Sequence, residues 1–97
     1  MPLYQNRIIV TGGTGRFAQV LKKVKTKYSV FFPTKLQLNI MKEASIQKYL
    51  RKKKPKYLIH LAGLSRPMSV HENDIKKSID LNIIGTANIV KACEKLR

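Results

Sequence analysis

The sequence predicts an α/β fold, a parallel sheet with flanking helices that is left incomplete on one side, and three observations carry that expectation. Short β-branched or aromatic runs, "RIIVT" at 7–11, "YSVFF" at 28–32 and "YLIHLAG" at 57–63, alternate with amphipathic stretches. Three glycines, Gly12, Gly13 and Gly15, join the first run to the first amphipathic stretch. The chain also reaches Arg97 on an amphipathic pattern, with no glycine or proline stop and no following strand. Alternating strands and helices require parallel strands with crossovers, which are right-handed in nearly every known case.

Each element has its own warrant. Arg7 to Thr11 is apolar on both faces and reads as a fully buried strand. From Arg16, the residues Phe17, Val20, Leu21 and Val24 recur at helical spacing, with Lys22, Lys23, Lys25 and Lys27 on the other side and in the last turn. Tyr28 to Phe32 is a second strand, stopped by Pro33, which has no amide hydrogen for a ladder. The connection "TKLQLNI" is expected to hold a short extended piece around Leu38 to Ile40. Ala44 to Lys53 reads as a second helix with Ile46, Tyr49 and Leu50 inward, closed by Pro55. Tyr57 to Gly63 is the third strand, followed by a polar loop containing Pro67. In the last helix Ile75, Ile79, Ile83, Ala87 and Val90 step by three or four, and Gly85 among them predicts a close packing contact.

Composition limits the function classes. At 97 residues the chain makes one small domain, and an apolar fraction of 43% is that of a folded protein rather than a disordered one. No apolar run approaches the roughly 18 residues of a membrane span, and the amino terminus lacks a leader pattern, so the expectation is a cytoplasmic protein. A single cysteine, Cys93, with only His60 and His71 as further soft ligands, excludes an internal disulfide and argues against a structural zinc site. The formal charge of +15 would suit a polyanion, and the first acidic residue is Glu43. The basic residues are mostly lysines spread along the chain, without the clustering and interleaved aromatics of a nucleic-acid footprint, which makes nucleic acid the weaker reading.

The glycines carry the most specific signal. Gly13, Gly15 and Ala18 fit G-x-G-x-x-[G/A], while Thr11, Gly12, Gly15 and Ala18 fit T-G-x-x-G-x-x-[G/A]. Either register lets a strand turn sharply, brings bare backbone to a pyrophosphate and aims the next helix's free amides at that anion. A P-loop is excluded because no Gly-Lys-[Ser/Thr] follows. With a strand before, a helix after and a second strand at the right distance, the turn reads as a Rossmann-type dinucleotide site, the fold being the N-terminal half of a doubly wound sheet. NAD sites place a carboxylate near the end of the second strand to hold the ribose 2′-hydroxyl; here "VFFPTKLQ" has Thr34 and Lys35 instead. Lys35, and Arg16 with it, would attract a 2′-phosphate, so the cofactor expected is NADP, with NAD as the second option.

The glycine turn together with "LQLNI", "KPKYLIHLAG" and "SIDLNIIGTANIVKAC" resembles the extended short-chain dehydrogenase/reductase superfamily, sugar-nucleotide branch, which includes dTDP-4-dehydrorhamnose reductase and the NAD-dependent epimerase/dehydratases. The resemblance implies that Gly12, Gly15, Arg16 and Phe17 cradle the pyrophosphate and that Thr34 and Lys35 lie by the adenosine ribose. It places Asn39 and Ile40 beside the adenine, where the family has Asp and an apolar residue, and Asn can accept from an adenine amino group. It also implies that Leu61, Ala62 and Gly63 run under the cofactor, with Ser65 just beyond, and that Asn82 is the asparagine of "LNxxGT".

In that superfamily a Tyr-x-x-x-Lys pair and a Ser or Thr move the proton while the nicotinamide moves a hydride. Tyr49 and Lys53 have this spacing but precede the third strand on a helix whose inner side includes Tyr49, and they read as a coincidence. The remaining features have plain readings too. His60 reads as a satisfied core residue, His71 as a solvated loop residue, and "RKKKPK" at 51–56 as a helix end. The resemblance therefore implies a cofactor-binding portion, residues 1–97, that ends before the catalytic residues. Its partners would be a nucleotide-sugar substrate in the intact protein and a second copy or completing chain at the open sheet edge. The alternative is a non-catalytic nucleotide-binding or assembly module, with a small basic nucleic-acid binder behind it.

Overall fold

The computed structural model describes residues 4–13, 15–62, 76 and 79–96. Three parallel strands, β1 (Tyr4–Thr11), β2 (Ser29–Phe31) and β3 (Pro55–His60), lie in the order β2-β1-β3. Helix α1 (Arg16–Lys22) links β1 to β2, and α2 (Glu43–Lys53) links β2 to β3. A π-helical turn, Asp80–Ile84, then leads into α3 (Gly85–Leu96). Because the chain moves outward from β1 to β2 and back across β1 to β3, right-handed crossovers put α1 on one face and α2 on the other. The α/β class, the parallel order and the three strands are as the sequence predicts.

The core lies on the α2 and α3 side. Ile9 from β1, Leu38 and Ile40 from the connection, Ile46, Tyr49 and Leu50 from α2, and Ile89 and Ala92 from α3 form one buried cluster. Glu43 at the start of α2 and Lys95 at the end of α3 close it with an ion pair of 2.9 Å. At the bottom of the sheet the pairing of β1 with β3 shifts between Tyr4 and Ile8, and Arg7 fills the irregularity. Its Nη1 donates to Lys53 O at 2.8 Å, and its guanidinium stacks 4.1 Å from the Tyr4 ring centroid. Pro55 opens β3, a strand position that needs no amide, and Lys54 turns the chain there with φ of 49°.

Several expectations are corrected. The stretch around Leu38 to Ile40 joins no strand of the sheet: Leu38 and Asn39 have no regular structure and Ile40 opens a turn, although Leu38 and Ile40 are buried. The face of α1 is largely uncovered: Phe17 is 62% and Val20 61% exposed, Val24 lies past the helix end, and only Ala18 is buried. Among the described residues α1 is the one helix on that face of the three-stranded sheet, and none of them covers its flanks. In α3 the inward stripe is Gly85, Ile89 and Ala92, with Cys93 and Leu96 packed beside it, whereas of the expected stripe Ile79 and Ile83 before α3 and Ala87 and Val90 within it are exposed, and Ile75 lies outside the described residues. Small residues win that contact because they admit the close approach: a Cβ on Gly85 would fall 2.6 Å from Ile40 Cδ1, and Asn88 Nδ2 donates to Ile40 O at 2.9 Å. The predicted close contact at Gly85 is thus present. Among the described residues no helix is long and apolar enough to cross a membrane.

Candidate functional site

At the carboxyl ends of the strands a cleft of about 320 Å³ opens between the glycine turn, the segment after β2 and the segment after β3. It is lined by Thr11, Gly12 and Gly13, by Pro33, Thr34, Lys35, Leu38, Asn39 and Ile40, and by Ala62 and Leu81. In open α/β sheets ligands bind in this crevice. Of the predicted site residues, the cleft thus brings together Gly12, Thr34, Lys35, Asn39, Ile40 and Ala62. Gly15, Arg16 and Phe17 stand beside it as the cap and first turn of α1, and Leu61 lies at its margin, 37% exposed. Gly63 and Ser65, like His71, lie outside the described residues.

Gly12 is the residue that the geometry restricts most. Its φ of 75° is left-handed, and a Cβ there would lie 2.8 Å from both Ala62 N and Leu61 C. The end of β1 therefore packs directly on the backbone after β3. Gly15 N donates to Gly12 O at 3.0 Å and closes the turn, and no side chain caps α1, so its first amides lack an intrahelical partner. Gly13 O accepts from Gln19 Nε2 at 2.9 Å and from Lys22 Nζ at 2.8 Å, which pins the turn to its own helix.

Thr11 organises the floor. It is 2% exposed, and its Oγ1 accepts from the amides of Leu61 and Ala62, both at 3.0 Å. Those amides leave the sheet ladder for the hydroxyl, which is why β3 ends at His60 and not at Gly63 as the sequence predicts. The same Oγ1 lies 2.7 Å from His60 Nδ1, and His60 Nε2 lies 3.0 Å from Thr86 Oγ1. His60 thus has both ring nitrogens satisfied, as expected, but it is half-buried at the edge of the sheet rather than in the core; its partial burial lowers its pKa from the ordinary value.

The side of the cleft that holds Asn39 differs from the expectation in one respect. Asn39 Oδ1 accepts the Met41 amide at 3.0 Å, and Asn39 N donates to Ser45 Oγ at 3.0 Å. One carbonyl lone pair is therefore spent on the local turn. Thr34 and Gln37 bond reciprocally, Thr34 N to Gln37 Oε1 at 2.8 Å and Gln37 N to Thr34 Oγ1 at 3.3 Å, which leaves Lys35 exposed at the rim. Among the described residues no carboxylate lines the cleft. Asn82 is exposed, and its carbonyl accepts from Thr86 Oγ1 at 2.9 Å; it is the preceding residue, Leu81, that reaches the cleft from the π-helical turn.

The Tyr49 and Lys53 pair has no place here. Tyr49 is buried in the core on α2, and burial pushes its phenol up, opposite to the lowering that proton transfer requires. Among the described residues no group of His, Cys, Asp or Glu could hold a metal.

Three parallel strands in the order β2-β1-β3, with a glycine turn at the carboxyl end of the central one, define the first half of a Rossmann-type fold. Within that class the chain belongs to the RmlD substrate binding domain family, which matches residues 6–97. It is 31% identical over 90 residues to GDP-6-deoxy-D-talose 4-dehydrogenase of Aggregatibacter actinomycetemcomitans, covering 89% of this chain and 30% of that protein. Among solved structures, the dTDP-4-dehydrorhamnose reductase of Bacillus anthracis in complex with NADP superposes with a TM-score of 0.86 at 21% identity, covering 99% of this chain and 35% of that one. RMD of Pseudomonas aeruginosa complexed with NADPH gives 0.75 at 23% identity, over 94% and 31%. The chain therefore spans about a third of the length of the relatives it matches.

Proposed function

We propose that this chain is the NADP(H)-binding portion of a reductase or epimerase acting on nucleotide-activated keto-sugars, of the dTDP-4-dehydrorhamnose reductase type. The observation that carries the reading is the cleft itself, in which the glycine turn faces Lys35 and, among the described residues, no carboxylate. The residues fit the cofactor: bare backbone at Gly12 and Gly13 admits a pyrophosphate, and the uncapped amides of Arg16 and Phe17 supply donors for its charge. Lys35 and Thr34 suit a phosphorylated ribose, and Asn39 and Ile40 offer a polar and an apolar surface for adenine. Two relatives with this fold are complexes with NADP and NADPH.

When bound, the cofactor supplies a hydride to, or takes one from, the sugar carbon. The described residues bind and orient; on this reading proton transfer and sugar binding fall to the part of such a protein that these 97 residues do not cover. A groove of about 770 Å³ along the edge strand β3, lined by Tyr57, Ile59, Ile89 and Val90 among others, suits a further strand that extends the sheet.

The test is a calorimetric titration of the 97-residue chain with NADPH and NADH, repeated with Lys35→Ala. The expected result is saturable binding, tighter for NADPH, with the substitution weakening NADPH by roughly tenfold or more and leaving NADH nearly unchanged, as for loss of one charged hydrogen bond. A folded chain that binds neither would overturn the reading, and an unaltered preference in the variant would remove Lys35 from it.

A further inference from the structure

The hydroxyls around His60 leave one arrangement of hydrogens that satisfies every group. Thr11 Oγ1 has two lone pairs, and the amides of Leu61 and Ala62 occupy both. Its own hydrogen must then point at His60 Nδ1, 2.7 Å away, so Nδ1 is an acceptor and carries no proton. The imidazole hydrogen is on Nε2 and donates to Thr86 Oγ1 at 3.0 Å, and Thr86 in turn donates to Asn82 O at 2.9 Å. The result is a directed chain that runs from the backbone after β3 through β1 and back through β3 to the π-helical turn before α3. Both ends border the nucleotide cleft: Ala62 lines it directly, and Leu81 is adjacent to Asn82.

We propose that His60 is the positioning residue of the nucleotide cleft, holding it in shape only as the neutral Nε2–H imidazole, so that NADP(H) binding weakens when His60 becomes imidazolium. A proton on Nδ1 would face the Thr11 hydroxyl hydrogen, and the oxygen has no lone pair left to accept it. Thr11 must then release Leu61 or Ala62, the segment against which Gly12 packs. The other groups along this face do not substitute for that contact. Among the described residues, β1 presents Thr11 to the ring and Ile8 to the groove beside it, β3 adds Lys56 and Tyr57, and α3 adds Cys93 and Glu94, while α2 reaches the same groove with the apolar Leu50. Of these only Lys56 and Glu94 carry charge, since burial pushes the Cys93 thiol up and keeps it neutral. Both ring nitrogens are engaged by threonines. Burial, the cause of the lowered pKa, acts in the same sense. Since the unfolded chain takes up a proton near pH 6.5 and the folded one only lower, stability is full above about 6.5 and declines below it towards the folded value.

This inference rests on the cofactor reading for its ligand, but its first readouts do not need the ligand. Imidazole ¹⁵N shifts of the free chain, assigned with His71→Ala, are expected to show His60 as the Nε2–H tautomer and to convert below the ordinary histidine range. Amide exchange at Leu61 and Ala62 is expected to lose protection over the same interval. Titrations with NADP⁺ at about pH 7.5 and at about one pH unit below the midpoint given by the imidazole shifts should then show roughly tenfold weaker binding at the lower value. His60→Gln keeps an acceptor and a donor without titrating, so it should retain affinity and show only the pH response of the ligand's own phosphate. The Nδ1–H tautomer, Leu61 and Ala62 amides indifferent to His60 protonation, or the same pH response in the glutamine variant would each overturn the proposal. If ring and amides behave as expected and NADP⁺ binds at neither pH, the positioning of the Leu61 and Ala62 backbone stands and the cofactor reading fails.

Discussion

Gly12→Ala is expected to abolish NADPH binding and to destabilise the chain by about 2–4 kcal/mol, combining left-handed strain with overpacking. The left-handed backbone at φ of 75° accounts for one part of the penalty. The larger part is the collision of the new methyl with Ala62 N and Leu61 C at 2.8 Å. A flexible side-chain tip could swing away, but these are backbone atoms held by the Thr11 hydroxyl, so the turn itself has to move. Gly15→Ala is the comparison: its φ of −74° suits any residue, and its Cβ would meet Gly12 O at 3.3 Å, a tight contact that a shift of the turn by a few tenths of an ångström relieves. Urea unfolding of the two variants should separate them, the second losing less than the first because it has one tight contact to relieve and no left-handed strain. Equal losses would mean that the turn does not press on the segment after β3.

Thr11→Val is the second large effect. The change is nearly isosteric, so packing around this 2% exposed site is kept while the hydroxyl is removed. Two amides and one ring nitrogen lose their partner, and at about 1–3 kcal/mol for each buried group left unpaired the loss reaches roughly 3–5 kcal/mol. Thr11→Ser keeps the hydroxyl and should retain most of the stability. In the valine variant NADPH affinity should fall together with protection of the Leu61 and Ala62 amides in hydrogen exchange. Protection that survives the loss of the hydroxyl would contradict the account of how β3 ends.

Much of this was legible in the sequence because it is written locally. The glycines mark the strand-to-helix turn within a few residues, Pro33 stops the second strand, and the apolar spacing of Ile46, Tyr49 and Leu50 gives the inner face of α2 correctly. The features that escaped depend on partners far along the chain. The inward face of α3 is chosen by Gly85 and Ala92 because Ile40 needs room there, and a periodicity of large residues points instead to Ile83 and Val90. The π-helical turn that brings Leu81 to the cleft carries no compositional mark. Thr11 and His60 stand 49 positions apart, and only strand register makes them neighbours. In the candidate site, Gly12, Gly13, Lys35, Asn39 and Ala62 could be anticipated from the sequence, whereas Pro33, Leu38 and Leu81 emerge only once the three strand ends are side by side.

The central claim, that the glycine turn and the segment after β2 form one cofactor site, is tested most directly by amide NMR of the ¹⁵N-labelled chain during addition of NADPH. The account predicts saturable shifts at Gly12, Gly13, Arg16, Lys35 and Ala62, which lie on separate stretches of the sequence and meet only in this cleft. Shifts confined to exposed lysines such as Lys48 and Lys52 on α2, or none in a folded chain, would contradict it.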